Sequence, residues 1–341
     1  MTTVLILGAG IMQGPSLRAA RRMGWRSIAA DANPSAPCRS LADRFELVDL
    51  KDRDGMLALA RRLREGEGLD AVFTAGTDFS TTVAYVCERL GLPGVPLAAA
   101  ERATDKHLMR RALRAAGVPC PGSVEYDGKS GPEEAAAGLP LPLVVKPVDS
   151  MGSRAVRRVD SRGELREACR AAVAASRSGR AVIEEYMDGP ELSLDAIVWR
   201  GRVTVCGVAD RIIRFPPFFV EMGHTMWTEL PGEQRRAVER VFEDGIRALG
   251  IENGAAKGDI KYTRSGAFVG EIAARLSGGY MSGWTYPLSS GVEVTEAALR
   301  IAVGQAPGRL EPKRAWVSAE RAFLSIPGRV AALEALATAA W

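Results

Sequence analysis

Short apolar runs alternate with amphipathic stretches over the first ninety residues of the chain. Because the runs carry apolar side chains at consecutive positions, they are typical of strands buried on both faces of a parallel sheet. They lie at residues 4–7, 27–30, 45–48 and 71–74. Stretches with helical spacing lie at residues 15–23, 52–64 and 79–90. This alternation predicts an α/β unit built on a doubly wound parallel sheet.

The pattern changes after the turn-rich segment 91–96, which predicts the first domain boundary. From residue 191 to 212 apolar and polar residues alternate, so the second half is expected to be α+β with antiparallel strands. Further strands are predicted at 143–145, 155–159 and 181–183, and helices at 105–116, 161–176, 234–249 and 292–303. A closing segment should hold one strand near 322–326 and an Ala-rich helix. The predicted domains are therefore 1–95, 96–305 and 306–341.

Composition narrows the class of protein. The 341 residues include 45 basic and 41 acidic side chains with no long basic run, which argues against a nucleic-acid partner. Five widely spaced cysteines and two histidines offer no disulfide frame and no histidine metal cluster. No apolar run approaches the roughly 18 residues that span a bilayer. We therefore expect a cytoplasmic enzyme without a membrane partner.

The segment 253–279 predicts a hairpin that could hold a metal ion. If the polar faces of its two strands meet, Asp259 lies opposite Glu271, and two facing carboxylates need a cation between them or a shared proton. Oxygen ligands without cysteine or histidine favour Mg²⁺. The alternative is an amphipathic hairpin with solvated charges. The side chains expected on the shared face are Lys257, Asp259 and Lys261, and then Val269, Glu271, Ala273 and Arg275.

Two features of the first ninety residues could bind a ligand. Gly8 and Gly10 follow the first predicted strand and Asp31 ends the second, as in a dinucleotide fingerprint. The third glycine, Gly14, comes one residue too late, so a tight strand-to-helix turn explains the pattern at least as well. Asp78 follows the fourth strand at the carboxyl edge, where such sheets bind ligands. It either contacts a substrate or caps the next helix.

Three stretches further along hold notable polar groups, and two of them are suited to a nucleotide. Lys106 lies in the first turn of a predicted helix, where a cation opposes the helix dipole, although an exposed lysine is the simpler interpretation. Lys146 ends a buried strand ahead of the small-residue loop 149–154, whose backbone N–H groups could fold over phosphates. The strand at 181–183 runs into an acidic turn that could face an adenine and a ribose. A hairpin turn is the alternative for the loop.

The segment 214–230 is rich in aromatic residues and has no periodicity, so we expect a loop. Loops on a rigid scaffold often carry substrate contacts. Glu221 and His224 are the candidates within it, and a packed surface loop is the alternative.

The order of these features resembles the ATP-grasp superfamily, in the branch of carboxylate–amine ligases that includes L-amino acid ligases and carbamoyl phosphate synthase-like proteins. The resemblance covers roughly residues 2–305. It depends on Asp105-Lys106, Val144 to Pro147, Glu184 to Met187 with Glu191, and Asp259 with Glu271 to Arg275. The segments Phe219 to Thr225 and Ala273 to Gly279 carry the narrower similarity. It implies an N-terminal Rossmann-like domain, a two-subdomain ATP-grasp fold with its lid at about 118–187, and a short C-terminal segment.

The resemblance also implies roles for single residues, with ATP and Mg²⁺ (or Mn²⁺) as cofactors. Asp259 and Glu271 would bind Mg²⁺, and Arg275 would neutralise charge on an acyl phosphate. The residues implied for ATP are Lys106, Lys146, Ser150, Met151, Gly152, Ser153, Glu184, Glu185, Tyr186, Met187 and Glu191. The residues expected to contact substrate are Asp78, Glu221, His224, Ser277 and Gly278.

The implied function is a ligase that activates a carboxylate as an acyl phosphate and joins it to an amine, with small molecules as partners and a homodimer allowed. Alternatives are other ATP-grasp chemistry on bicarbonate or purine precursors, an NAD-dependent oxidoreductase, or a non-catalytic nucleotide-binding module. Two departures stand out. Ala273 occupies the position where similar proteins commonly carry an asparagine metal ligand, and the closing segment of 36 residues (306–341) is short.

Overall fold

The chain begins with a four-stranded parallel sheet in the order β3-β2-β1-β4. The structure, a computed structural model, describes residues 1–323. Alternate side chains of β1 enter two separate cores, one on each face of the sheet. The predicted doubly wound sheet is thereby confirmed. Its elements are β1 (Thr3–Leu7), α1 (Gly14–Arg22), β2 (Arg26–Asp31), β3 (Arg44–Leu47), α2 (Arg53–Glu67), β4 (Leu69–Phe73) and α3 (Ser80–Leu90).

Two helices lead into a second sheet, which is antiparallel and ordered β5-β8-β6-β7. Asp105 caps α5 as predicted, because its carboxylate accepts from the backbone N–H groups of His107 and Leu108. The sheet packs with its helices around its own apolar core. The elements are α4 (Leu97–Thr104), α5 (Lys106–Ala115), β5 (Ser123–Tyr126), α6 (Pro132–Ala135), β6 (Leu143–Pro147), β7 (Arg157–Val159), α7 (Leu165–Ala175) and β8 (Ala181–Glu185).

The third sheet is antiparallel throughout, in the order β13-β12-β9-β10-β11-β14. Helix α8 covers one face, where Phe242 and Ile246 are fully buried against β12 and β13. The opposite face of the hairpin opens onto the second sheet. The elements are β9 (Glu191–Trp199), β10 (Arg202–Arg214), β11 (Val220–Met226), α8 (Gly232–Leu249), β12 (Gly254–Thr263), β13 (Gly266–Ala273), α9 (Tyr286–Ser290), α10 (Val294–Ala302) and β14 (Ser318–Arg321).

Three expectations need correction or lie beyond the described residues. The loop predicted at 214–230 is wrong in its middle, because Val220–Met226 forms β11 between β10 and β14. The last described strand is Ser318–Arg321, earlier than the predicted 322–326. Residues 324–326 of that predicted strand, and the predicted Ala-rich helix after it, lie outside the described residues.

Two further findings bear on the class of protein. No helix within residues 1–323 is long and apolar enough to cross a bilayer. All five cysteines are free thiols, as predicted. Burial raises the pKa of Cys87 to about 12, so this thiol stays protonated.

Candidate active site

A cavity of about 350 Å³ lies between the second and third sheets. Every predicted site residue except Asp78 lines it. The contributing stretches are widely separated: the start of α5, the end of β6 with the loop after it, the end of β8, and the polar faces of β9 to β13. The structure therefore brings the predicted residues together, although their roles remain predictions.

The hairpin of β12 and β13 brings two carboxylates face to face. Asp259 pairs in register with Glu271, as predicted. Gly270 is an extra residue in β13, and this bulge shifts the alternation so that Val269 pairs with Ile260 and enters the core. The predicted placement of Val269 on the polar face is therefore wrong. The bulge turns Glu271 toward the cavity while its neighbours on both sides stay packed.

Asp259 is buried and surrounded by cations. Its Oδ2 atom contacts the ammonium of Lys257 and lies 3.2 Å from Nη1 of Arg211, and its Oδ1 accepts from the Ser193 hydroxyl at 2.8 Å. Burial alone would raise the pKa of Asp259, but the charges of Arg211 and Lys257 lower it well below its usual range. Asp259 is an anion only 7% exposed, which rules out the alternative of a hairpin with solvated charges.

Glu271 is the more open carboxylate of the pair. It lies 3.6 Å from the ammonium of Lys106, and within residues 1–323 it accepts no hydrogen bond. Burial raises its pKa, yet Lys106, Lys146 and Lys257 together lower it below the usual value. A hard oxygen donor that is ionised and free to take a ligand fits Mg²⁺. Asp259 fits the same ion as a second ligand, if the ion shares its oxygens with the neighbouring cations.

Lys146 is held by a buried ion pair with Glu184. Its Nζ atom lies 2.7 Å from Oε2 of Glu184, and Arg110, which is fully buried, holds the same carboxylate through Nε at 2.7 Å and Nη2 at 3.2 Å. Burial, followed by the charges of Arg110 and Lys106, lowers the pKa of Lys146, although Glu184 opposes that shift. The carboxylate predicted to face adenine is thus turned toward two cations.

Lys106 connects the small-residue loop to the metal-ligand pair. Its ammonium donates to the carbonyl of Ser150 at 2.8 Å, and it is only 4% exposed, so the alternative of an exposed lysine is wrong. Met151 of the same loop places its sulfur 3.4 Å from Nη2 of Arg275. The loop therefore reaches across the cavity to the end of the hairpin, as a cover over bound phosphates would.

The turn after β8 leaves a backbone donor free for an adenine. The N–H of Glu185 donates to the carbonyl of Gly122, and that of Tyr186 donates to the carbonyl of Pro142. Within the described part of the chain, the N–H of Met187 has no partner. Of the three residues predicted to hold adenine by backbone, Met187 is the one with an available donor.

Arg211 joins three carboxylates at the other side of the cavity. It lies against Glu191, donates from Nε to Glu221 at 2.8 Å, and reaches Asp259. Burial lowers the pKa of Arg211, but the three acids raise it far more, so it is always charged. Lys261 lies 3.6 Å from the second oxygen of Glu191. The acid predicted to face ribose is therefore paired with two cations.

His224 lies on β11 and is fixed from both sides of its ring. Nδ1 is 2.5 Å from Oε1 of Glu320 and Nε2 is 3.1 Å from the Ser193 hydroxyl. The backbone N–H of His224 donates to the other oxygen of Glu320 at 2.7 Å. Since Glu320 is a carboxylate, Nδ1 carries the hydrogen of that bond. Glu221, His224 and Glu320 also lie close enough to share a cation.

The segment after β13 is anchored by a buried acid. Asp195 accepts from the N–H of Ser277 at 3.1 Å and from the hydroxyl of Ser282 at 2.7 Å. Burial raises the pKa of Asp195 to about 6, and these two hydrogen bonds only partly offset the shift. Gly278 packs directly on Gly76, which follows β4 of the N-terminal sheet. The predicted substrate residues Ser277 and Gly278 are thus held at the junction with the N-terminal sheet.

Asp78 lies at that junction without lining the cavity. It does not cap α3, because that helix begins after Phe79 with no side-chain cap. Burial raises its pKa, while Arg275 is the strongest opposing charge. Of the two readings of Asp78, the cap is wrong, and the substrate contact stays a prediction.

The glycine-rich turn after β1 is closed by its own side chains. Asp31 accepts from the N–H of Ala9 at 2.7 Å and from the N–H of Asn33 at 2.9 Å. Gln13 is fully buried and accepts from the N–H of Ala75 at 3.1 Å. The acid of the fingerprint thus uses both oxygens within the protein, which favours the tight turn over dinucleotide binding.

Several residues of the site were missed in the sequence. Arg110 gave no signal, because it follows Met109 on a helix whose apolar stripe lies beside it, and its partner is 74 positions away. Arg211 and Ser193 lie on alternating strands, where the period shows the polar face and not the register. The alternation predicts Lys257 on the same face as Asp259 but indicates no role for it. Glu320 comes from the closing segment, 96 positions from His224.

Similarity to known proteins extends over both the sequence and the fold of the chain. Residues 139–283 match the family model of the ATP-grasp domain. The matched segment contains an ATP-grasp domain, as the resemblance in the sequence implied. The fold is similar to that of L-amino acid ligase from Bacillus licheniformis, with a TM-score of 0.79 and 24% sequence identity. The similarity covers 94% of this chain and 79% of that protein. Phosphoribosylglycinamide synthetase from Anaerococcus prevotii has a similar fold, with a TM-score of 0.76 and 21% sequence identity. That similarity covers 96% of this chain and 82% of the synthetase.

Relatives in sequence are longer proteins. An uncharacterized protein of Sinorhizobium fredii is 29% identical over 272 residues, which is 77% of this chain and 55% of the relative. Carnosine synthase 1 of Gallus gallus is 27% identical over 329 residues, 89% of this chain and 35% of the relative. The human carnosine synthase 1 is 26% identical over 333 residues, covering 40% of its length. The chain thus spans about a third to a half of the relatives it matches.

Proposed function

We propose that the protein is an ATP- and Mg²⁺-dependent ligase that joins a carboxylate to an amine. A carboxylate oxygen attacks the γ-phosphorus of ATP, which gives an acyl phosphate and ADP. The amine nitrogen then attacks the acyl carbon, the C–N bond forms, the C–O bond to phosphate breaks, and inorganic phosphate leaves with the bonding electrons. The nitrogen gives up its extra protons to the surrounding solvent and side chains.

One observation supports this proposal above the others. Three cations (Lys106, Lys146 and Arg275) and two carboxylates (Asp259 and Glu271) converge on a single cavity. Phosphoryl transfer needs the phosphates held in line and their charge neutralised, and it needs no covalent nucleophile. These five side chains provide that set.

Different residues of the cavity would bind the phosphates, the adenine and ribose, the metal ion and the acyl phosphate. Lys146, kept in place by Glu184 and Arg110, would bind phosphate oxygens together with Lys106, and the loop of Ser150 to Ser153 would exclude water. The turn ending in Met187 would bind adenine and Glu191 the ribose. Asp259 and Glu271 would hold Mg²⁺, which when bound supplies Lewis-acid stabilisation of the transferred phosphoryl group. Arg275 would bind the acyl phosphate.

The acceptor end is formed by Glu221, His224 and the Ser277-Gly278 turn, next to Asp78. Relatives named carnosine synthase 1 and a similar fold named L-amino acid ligase make amino acids the first substrates to test. The homodimer and the cytoplasmic location stay predictions.

The decisive experiment measures ADP and phosphate release with amino acids and other carboxylates, each with and without amines. We expect release that depends on a carboxylate and an amine together, with an amide detected by mass spectrometry. Glu271→Gln keeps the size of the side chain and removes its charge, so it should abolish release in a folded protein. Release driven by bicarbonate or a purine precursor alone would move the assignment to other ATP-grasp chemistry.

A thermal-shift comparison separates nucleotides before any substrate is known. A ligand at about 100 times its Kd stabilises the folded state by about 2.7 kcal/mol. We expect this from ATP with Mg²⁺ and no shift from NAD. Stabilisation by NAD alone would refute the ligase and restore the oxidoreductase alternative.

A further inference from the structure

Lys257 lies directly across the hairpin from Ala273. The two residues pair in register on β12 and β13, two positions from the pair Asp259 and Glu271. Since side chains two apart on a strand share a face, all four point toward the cavity side of the hairpin. The Lys257 ammonium contacts Asp259, and its side chain is only 15% exposed.

This arrangement offers a second divalent ion little to bind. Mg²⁺ requires near-octahedral oxygen coordination. The next two positions on the site face carry a methyl group, Ala273, and a cation, Lys257. Arg211 adds a second cation against Asp259 at 3.2 Å. A second ion beside Glu271 would therefore find no protein oxygen at these two positions and would be repelled by two fixed positive charges.

The same charges suit a different arrangement. A lysine ammonium is a compact point charge that binds phosphate oxygens. Lys257 reaches the cavity that holds Lys106 and Lys146, and it faces Glu271 closely enough to lower the pKa of that acid. A cation built into the hairpin needs no ligands beyond Asp259, which already holds it.

We propose that Lys257 supplies, as a fixed ammonium, the positive charge that a second divalent ion would otherwise bring, so that the site binds one Mg²⁺ with its nucleotide. The inference rests on the proposed function only in taking the phosphates of ATP as the bound anion. It makes Lys257 a nucleotide-binding residue of the reaction.

The test counts metal ions with Mn²⁺ as the probe. Crystals of the protein grown with Mn²⁺ and a non-hydrolysable ATP analogue would show one anomalous-scattering peak at the hairpin. The double variant Lys257→Gln with Ala273→Asn removes the cation and adds an oxygen ligand, so it should show two. Lys257→Arg with Ala273→Asn keeps the charge and should show one. A titration of Mn²⁺ followed by electron paramagnetic resonance should give the same counts in solution.

Lys261→Gln with Ala273→Asn is the matched control. Lys261 lies on the same strand and face but pairs with Glu191, so this variant should bind one ion. Two ions in the native protein would overturn the inference, and so would a single ion in the folded Lys257→Gln double variant. If that variant does not fold, the native count and the Lys257→Arg variant still decide.

The outcomes also separate this inference from the ligase assignment. If the native protein binds one ion and the Lys257→Gln double variant binds two, but no tested substrate yields an amide, the role of Lys257 holds and the ligase assignment is refuted. If the native protein forms an amide but binds two ions, the ligase assignment holds and the role of Lys257 is refuted.

Discussion

Glu184 fixes the position of Lys146: its Oε2 atom lies 2.7 Å from the lysine Nζ, while Arg110 holds both oxygens of the same carboxylate through Nε and Nη2. Arg110 and Glu184 are buried, at 0% and 2% exposure, and Lys146 is partly buried beside them. Burial and the charges of Arg110 and Lys106 lower the pKa of Lys146, and the charge of Glu184 opposes that shift. The ion pair keeps the lysine charged and directed at the place where we propose phosphate binds.

Glu184→Gln should destabilise the protein and weaken nucleotide binding. The change leaves Arg110 and Lys146 buried without a counter-charge, and breaking a buried pair costs about 3 to 5 kcal/mol. Denaturant unfolding measures the loss, and calorimetry with ADP measures the binding. Glu134→Gln, the same substitution at an exposed position, is the control and should leave both unchanged. An unaffected affinity for ADP would show that Glu184 does not position Lys146.

The same pair predicts a loss of stability in acid. Burial raises the pKa of Glu184, but Arg110 and Lys146 outweigh it and lower the pKa from 4.5 to about 2. A depressed pKa means that the stabilisation is complete above the unfolded-state value and disappears as the pH falls through the folded-state value. The native protein should therefore lose stability as the pH falls from 4.5 to about 2. The Glu184→Gln variant should not show this loss. Identical acid profiles for the two proteins would contradict the assignment.

Asp195 should give the opposite pH dependence. Burial raises its pKa from 3.8 to about 6, so the folded state holds a proton that the unfolded state has released. The contribution of Asp195 to the free energy of unfolding is complete below pH 3.8 and disappears as the pH rises through 6. Between about pH 5 and pH 7 the free energy of unfolding should fall by about 1 kcal/mol. Asp195→Asn should remove this fall, as seen by urea unfolding at several pH values, and a fall of the same size in that variant would refute it.

Gly270→Ala should disturb the hairpin at its bulge. A Cβ atom at this position would lie 2.9 Å from the backbone carbonyl of Asp259, and backbone cannot move aside cheaply. Overpacking of this kind costs about 1 to 3 kcal/mol. Because the bulge turns Glu271 toward Asp259, Mn²⁺ affinity in the presence of ADP should fall as well. Gly163→Ala, where a Cβ meets no atom within 4 Å, should change neither measurement. Undiminished Mn²⁺ affinity would separate the bulge from the metal site.

Glu320→Gln should impair the acceptor end of the site only. Glu320 receives both the Nδ1 hydrogen and the backbone N–H of His224, and a glutamine can accept only one of them. Loss of such an orienting partner typically costs about 10-fold in activity or more. We expect a lower kcat/KM for the amine or carboxylate with an unchanged Kd for ADP. Glu311→Gln on an exposed loop is the matched control. Weakened ADP binding would contradict a role confined to the acceptor end.

Local patterns in the sequence were sufficient for much of this protein. The doubly wound sheet, the antiparallel second half, the cap at Asp105 and the facing of Asp259 and Glu271 all follow from periods of two and 3.6 and from turn chemistry. The order of the motifs, read together, indicated an ATP-grasp domain, and the family model of that domain matches residues 139–283. These features depend on residues a few positions apart in the chain, so they can be predicted from the sequence alone.

The tertiary structure decided what surrounds those residues. Period and propensity did not show that 220–226 is a strand, because β11 depends on pairing with β10 and β14. They placed Val269 on the wrong face, because one bulged glycine inverts the alternation. Arg110, Arg211 and Glu320 entered the site only through partners 10 to 160 positions distant. Register, burial and charge pairing are properties of the folded chain, and they determine which of the predicted carboxylates is open and which is already held.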